Sequence, residues 1–184
     1  MKKLLIVFAI VSFGTASAQI TTNAGTFTKP SAGETAFEMK FMPNLDGNAI
    51  FAQSNSGTLM MRSFKSETKA TRLSASFSFE DSGISGQDGS YSVSAGYGIE
   101  NHFSGAERLS TFWGYGGNLG FADNGSDTLF TIGGGVFLGA DYYIIPKVYI
   151  GTEIGYGLGI ATGDNTSISL GGNVNGMLRL GFRL

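Results

Sequence analysis

The chain contains no cysteine, only three prolines and a single histidine, and its charges are few: twelve Lys and Arg against fourteen Asp and Glu in 184 residues. Without cysteine there is no disulfide framework, no thiol nucleophile and no thiolate-ligated zinc. A lipid-modified cysteine at an export junction is excluded as well. The formal charge of -2 supplies no basic field for holding phosphates, which argues against nucleic-acid binding. Beyond the N-terminus no run of eighteen apolar residues occurs, so no membrane-spanning helix is expected. Glycine is abundant instead, with twenty-nine residues, too many for a helical bundle. The composition is also too apolar for intrinsic disorder. It predicts one mainly β domain.

The N-terminus reads as a processing signal. Lys2 and Lys3 precede the apolar run Leu4 to Phe13, which is followed by Ala16, Ser17 and Ala18. A charged start, a short greasy segment and small residues at a cut site make a secretory signal peptide, here residues 1–18. The apolar run is about half the length that a spanning helix requires. Residues 19–34 are expected to form an N-terminal periplasmic segment, and residues 35–184 the folded domain.

Hydrophobic period decides the fold. Tyr91, Val93, Ala95, Tyr97 and Ile99 share one parity, and Ser92, Ser94, Gly96, Gly98 and Glu100 the other. The same alternation sets Val148, Ile150, Ile154, Tyr156 and Leu158 against Gly151, Glu153, Gly155, Gly157 and Gly159. The last segment, Ile168 to Leu184, alternates in the same way, and weaker versions run through Phe37 to Phe41, Thr58 to Phe64, Leu73 to Phe79, Trp113 to Phe121 and Phe130 to Tyr142. A two-residue period is the signature of strands with one apolar face. The Gly-, Asn-, Asp- and Ser-rich stretches between them, including 101–109, are too short for parallel crossovers. An all-β, eight-stranded, antiparallel up-and-down transmembrane barrel is predicted.

Composition of the polar face indicates which way it points. A soluble barrel would cover that face with many Lys and Glu. Here it is mostly Gly, Ser, Thr and Asn, with Glu38, Lys40, Arg62, Arg72, Glu100, Glu153, Arg179 and Arg183 as the set expected to pair across a narrow lumen. An eight-stranded barrel is just wide enough for side chains to fill. The apolar face carries no charge in these runs, as a lipid-facing surface requires, since Lys or Arg at a bilayer midplane costs roughly 2 to 4 kcal/mol. Phe79, Tyr91, Phe121 and Phe130 would form one aromatic girdle, and Trp113, Tyr142 and Phe182 the other.

On these residues the chain resembles the small outer-membrane β-barrel proteins of Gram-negative bacteria, of the OmpA-barrel and OmpX sort. The stretch from Gly139 through Asp141, Tyr142, Tyr143, Pro146, Lys147 and Tyr149 to Glu153 is similar to the penultimate hairpin of short barrels common in Bacteroidota. The resemblance covers roughly Thr35 to Leu184. It implies a cell outer membrane location, contact with outer-membrane lipid, and dependence on the barrel insertion machinery. That family's last strand usually ends on an aromatic residue, whereas here Phe182 stands two positions before the terminal Leu184.

Candidate chemistry is thin. His102 with nearby Ser104 is the one conceivable catalytic pair, and the turn in which it is predicted suggests a solvated histidine. Gly133, Gly134 and Gly135 lack the context of a nucleotide loop. Asp46, Asp88, Asp123, Asp127 and Asp164 lack the spacing of a calcium loop. No enzyme activity, cofactor or metal is expected. The leading expectation is a non-catalytic envelope or surface-interaction role, with the lumen plugged by paired charges and an unidentified extracellular loop ligand left open. The alternatives are a narrow small-solute pore and a soluble lipocalin-like periplasmic carrier of an apolar ligand.

Overall fold

The computed structural model of the chain describes residues 29–41, 57–81, 83, 89–123, 125 and 127–184. The expected signal peptide, residues 19–28 of the N-terminal segment, Asp46 and Asp88 therefore lie outside the described residues, as do the side chains of Phe41, Ser104 and residues 172–177. Eight strands follow one another: β1 (Thr35–Phe41), β2 (Gly57–Ser66), β3 (Lys69–Glu80), β4 (Ser90–Gly105), β5 (Leu109–Asp123), β6 (Thr128–Ile145), β7 (Val148–Thr162) and β8 (Thr166–Arg183). Each pairs antiparallel with its sequence neighbour, and β1 pairs with β8 to close the barrel. Closure matters physically, because it leaves no row of unpaired edge peptides along β1 and β8 where they meet.

The two-residue period is visible as alternating exposure. Along β6 every second side chain from Phe130 to Leu138 faces outward, and Thr131, Gly133, Gly135 and Phe137 face in. Connections differ between the ends. Residues 67–68, 106–108 and 146–147 make tight turns at one end, while 42–56, 81–89, 124–127 and 163–165 join strands at the other. In the turn at Pro146, Lys147 takes a left-handed backbone with φ 77°.

One sequence expectation is corrected here. Residues 101–105 are not part of a turn: β4 continues through them, with Asn101 opposite Trp113 and His102 opposite Phe112. Of the polar residues that suggested a loop, His102 is instead on the inward side of a strand end. Just before β1, Gly33 and Glu34 extend the pairing with β2. Gly33 N donates to Phe64 O at 2.9 Å, and Phe64 N donates to Glu34 O at 2.9 Å.

Candidate functional site: an ion network across the lumen

The most deeply buried large side chains in the barrel are mainly charged or aromatic: Arg62, Arg179, Glu100 and Asp141 alongside Tyr149, Phe64 and Phe112. They meet because each sits on the inward parity of its strand near the short-turn end. Every strand contributes, from Glu38 and Lys40 on β1 to Arg179 on β8.

Arg62 is the hub. Its Nε donates to Glu100 Oε2 at 2.8 Å, and its Nη1 donates to Glu38 Oε1 at 2.8 Å and to Asp141 Oδ2 at 2.6 Å. Its Nη2 also donates to Glu100. The Tyr149 hydroxyl donates to Glu38 as well. Arg179 bridges the same acids across the β1–β8 seam, reaching Asp141 Oδ1 at 2.6 Å and Glu38 Oε2 at 3.1 Å. Arg72 joins Glu153 at 2.6 Å and Glu100 at 2.7 Å. Lys40 lies at the margin, its Nζ 3.7 Å from Glu153 Oε1.

Four carboxylates (Glu38, Glu100, Asp141, Glu153) thus face four cations (Lys40, Arg62, Arg72, Arg179). The balance is what makes such burial tolerable, because an isolated charge in this setting costs several kcal/mol. Aromatic faces complete the packing. The Arg72 guanidinium lies 4.1 Å from the Phe137 ring centroid, and Arg179 lies 4.9 Å from that of Phe112. The rings fit because glycines stand opposite them: an added Cβ at Gly139 would strike Phe112, at Gly114 Phe137, and at Gly181 Tyr149.

Of the residues expected in the lumen, Glu38, Lys40, Arg62, Arg72, Glu100, Glu153 and Arg179 come together. Arg183 is buried nearer the barrel end, 3.3 Å from Glu34 and over the Tyr143 ring at 5.1 Å. Asp141, Tyr149 and His102 were not in that set. Their signal was parity: Asp141 and Tyr149 share the inward register of Gly139 and Gly151.

His102 is buried, with Nδ1 2.9 Å from Ser110 Oγ and Nε2 3.2 Å from Glu100 Oε2. The hydrogen-bond pattern assigns Nε2–H as donor to Glu100 and Nδ1 as acceptor from Ser110. Serine, imidazole and carboxylate in line have the connectivity of a hydrolase triad. Two features oppose that chemistry. Both Ser110 and His102 are buried, which closes the serine hydroxyl to a substrate, and Arg62 Nη2 sits 3.4 Å from the same Nε2, packed against that face of the ring. The chain of bonds instead extends the network toward β5.

The aromatic residues expected in girdles all point outward. Phe79 lies opposite Tyr91, and Phe121 opposite Phe130, near the end with the longer connections. Trp113, Tyr142 and Phe182 lie toward the short-turn end, where Phe182 packs against Phe37 at 6.0 Å between ring centroids. Asp123 is occupied with local structure, accepting from Gly125 N at 2.8 Å and from the Thr128 hydroxyl at 2.9 Å, and Asp127 Oδ1 accepts from Asp164 N at 3.5 Å. No protein-family model matches the chain, and no curated protein matches its sequence.

Proposed function

We propose that the chain is an integral outer-membrane β-barrel with a non-catalytic envelope or surface-interaction role, its lumen closed to through-passage by the ion network. One observation carries this reading: burial is inverted relative to a water-soluble protein. Arg62 and Arg179 are 0% exposed, while Leu73, Val136 and Ile154 on the outer wall are 53%, 58% and 51% exposed. Apolar side chains of this kind circle the barrel. In water so large an apolar surface would drive association; in a bilayer it is the required surface. A soluble carrier of an apolar ligand would place that character inside. β4 to β8 also exceed the roughly 9 to 11 residues that a tilted strand needs to cross a membrane.

Cell fractionation combined with heat-modifiable gel migration tests the placement. The protein is expected in the outer-membrane pellet, migrating faster unboiled than boiled. Release with the osmotic-shock fluid would favour the soluble carrier. In planar bilayers the closed lumen predicts no steady conductance, and stable openings would transfer the reading to a small-solute pore.

A further inference from the structure

Above the ion network, toward the end with the longer connections, the lumen changes character. A cavity of about 460 Å³ opens there, with Lys40, Arg72 and Glu153 at its floor and Ser74, Asn118 and Ser169 among its walls. Much of the remaining wall is glycine, so the inward surface there is largely peptide backbone. The volume lies in the range of small-molecule sites. A barrel of this strand number can either fill its lumen with side chains or hold one small ligand. This chain does the first in one half and leaves room for the second in the other. A register shift marks the change: between Glu153↔Met177 and Gly155↔Asn173, β8 advances further than β7, which adds stagger to the wall.

The floor has a defined electrostatic sense. Glu153 is engaged, with Arg72 at 2.6 Å on one oxygen and Lys40 and Arg179 at 3.7 and 3.8 Å. Arg72 is engaged with Glu153 and Glu100. Lys40 is different. Its ammonium has three donors, and among the described residues the one ion-pair contact is the 3.7 Å approach to Glu153, beyond hydrogen-bond range. Of the three charged residues at the floor, two pair closely with each other, and the third is a cation whose donors, among the described residues, make no closer contact than that one.

We propose that this chamber is a binding site for a small carboxylate, seated with its charge on Lys40 and its short polar body between the glycine walls and the Ser74, Asn118 and Ser169 side chains. The inference rests on the barrel's interior geometry and not on its location. A carboxylate would give Lys40 a short charge-assisted hydrogen bond, stronger than a neutral one. A cation would meet Lys40 and Arg72 before any free acid.

The test uses the chain from residue 19 onward, its lysines carrying ¹³C at the ε carbon, refolded from urea into detergent micelles. The Lys40 resonance, identified by its absence in Lys40→Met, is followed while sodium lactate is added. The expected result is a saturable shift of that resonance alone, with neither sodium chloride at equal ionic strength nor uncharged lactamide reproducing it. Gly171 lines the cavity with nothing within 4 Å of an added Cβ, so the side chain of Gly171→Leu starts into open space. It should weaken lactate binding about tenfold or more by removing the carboxylate's access to its charged donor. An equal response to chloride, or none to lactate in the folded wild-type barrel, would overturn the proposal.

Discussion

In the half of the lumen nearer the short turns, Arg62 and Arg179 are wholly enclosed by carboxylates and rings, whereas toward the other end of the barrel Gly116, Gly135 and Gly157 face a cavity. Both halves are rich in glycine, and it serves opposite ends in them. Next to the network, Gly139, Gly114 and Gly181 are receptacles for Phe112, Phe137 and Tyr149, so that a missing side chain on one strand is filled by a ring from another. In the chamber no ring reaches across Gly135 or Gly157: a Cβ there would meet backbone atoms of the adjacent strand, and both glycines line the cavity. Glycine content therefore says nothing by itself about lumen width. What stands across the strand decides it.

The comparison breaks most visibly at Arg62. Replacing it with Met leaves Glu38, Glu100 and Asp141 without their shared cation, and removing one partner from a buried ion set costs about 3 to 5 kcal/mol. The measurement is the urea midpoint for loss of the fast-migrating folded band. Adding Glu100→Gln to Arg62→Met should recover part of the loss, because one uncompensated charge is then gone. Lys40→Met, at the margin of the network with one ion-pair contact among the described residues, at 3.7 Å, should shift the midpoint far less. Equal shifts for Arg62→Met and Lys40→Met would mean that the network half is not held together by its hub.

The chamber half is sharpened by two alanine substitutions. A Cβ at Gly116 would lie 2.6 Å from Tyr97 O and 3.0 Å from Gly98 Cα, both backbone atoms of the neighbouring strand, whereas one at Gly171 meets nothing within 4 Å. Gly116→Ala should therefore cost about 1 to 3 kcal/mol through displacement of β4 from β5. Gly171→Ala should be close to neutral, or stabilising by up to about 1 kcal/mol through lost chain entropy. The same denaturation assay reads both. Indistinguishable midpoints would remove the distinction between glycines that let strands approach and glycines that only widen the lumen.

Much of this division was legible in residue order. Strict alternation in segments such as Tyr91 to Ile99 fixes strands and faces, because a one-residue slip would send every apolar side chain to the wrong side. The charged inward set followed from the same parity. Less legible was which inward residues meet, since Arg62 reaches Asp141 across 79 positions of sequence and no local pattern encodes that distance. Phe112, Phe137 and Tyr149 were obscured by being large and apolar on a face read as polar and small. Only their spacing of two from Gly114, Gly139 and Gly151 hinted that they belonged inside. His102 was misplaced because polar residues at a strand end look like a turn when the partner strand is unknown.

The smallest expected effect compares the two ends of the barrel at their connections. At the network end, Lys147 holds φ 77°, and its carbonyl accepts the Arg183 amide at 2.7 Å, tying the turn to the last strand. At the chamber end the equivalent left-handed conformation falls on Gly125, with φ 80°. A residue with a β-carbon pays about 1 to 2 kcal/mol for that conformation, and glycine does not. Part of any gain from glycine is lost to the larger entropy of the unfolded chain. Lys147→Gly should therefore stabilise the barrel by about 0.5 to 1 kcal/mol, the difference of those two effects. Gly125→Lys should destabilise it by a similar amount, seen as opposite displacements of the urea midpoint. If Lys147→Gly were instead destabilising, the lysine side chain would have to be contributing more at that turn than its backbone strain removes, and the network end would owe part of its stability to a contact outside the lumen.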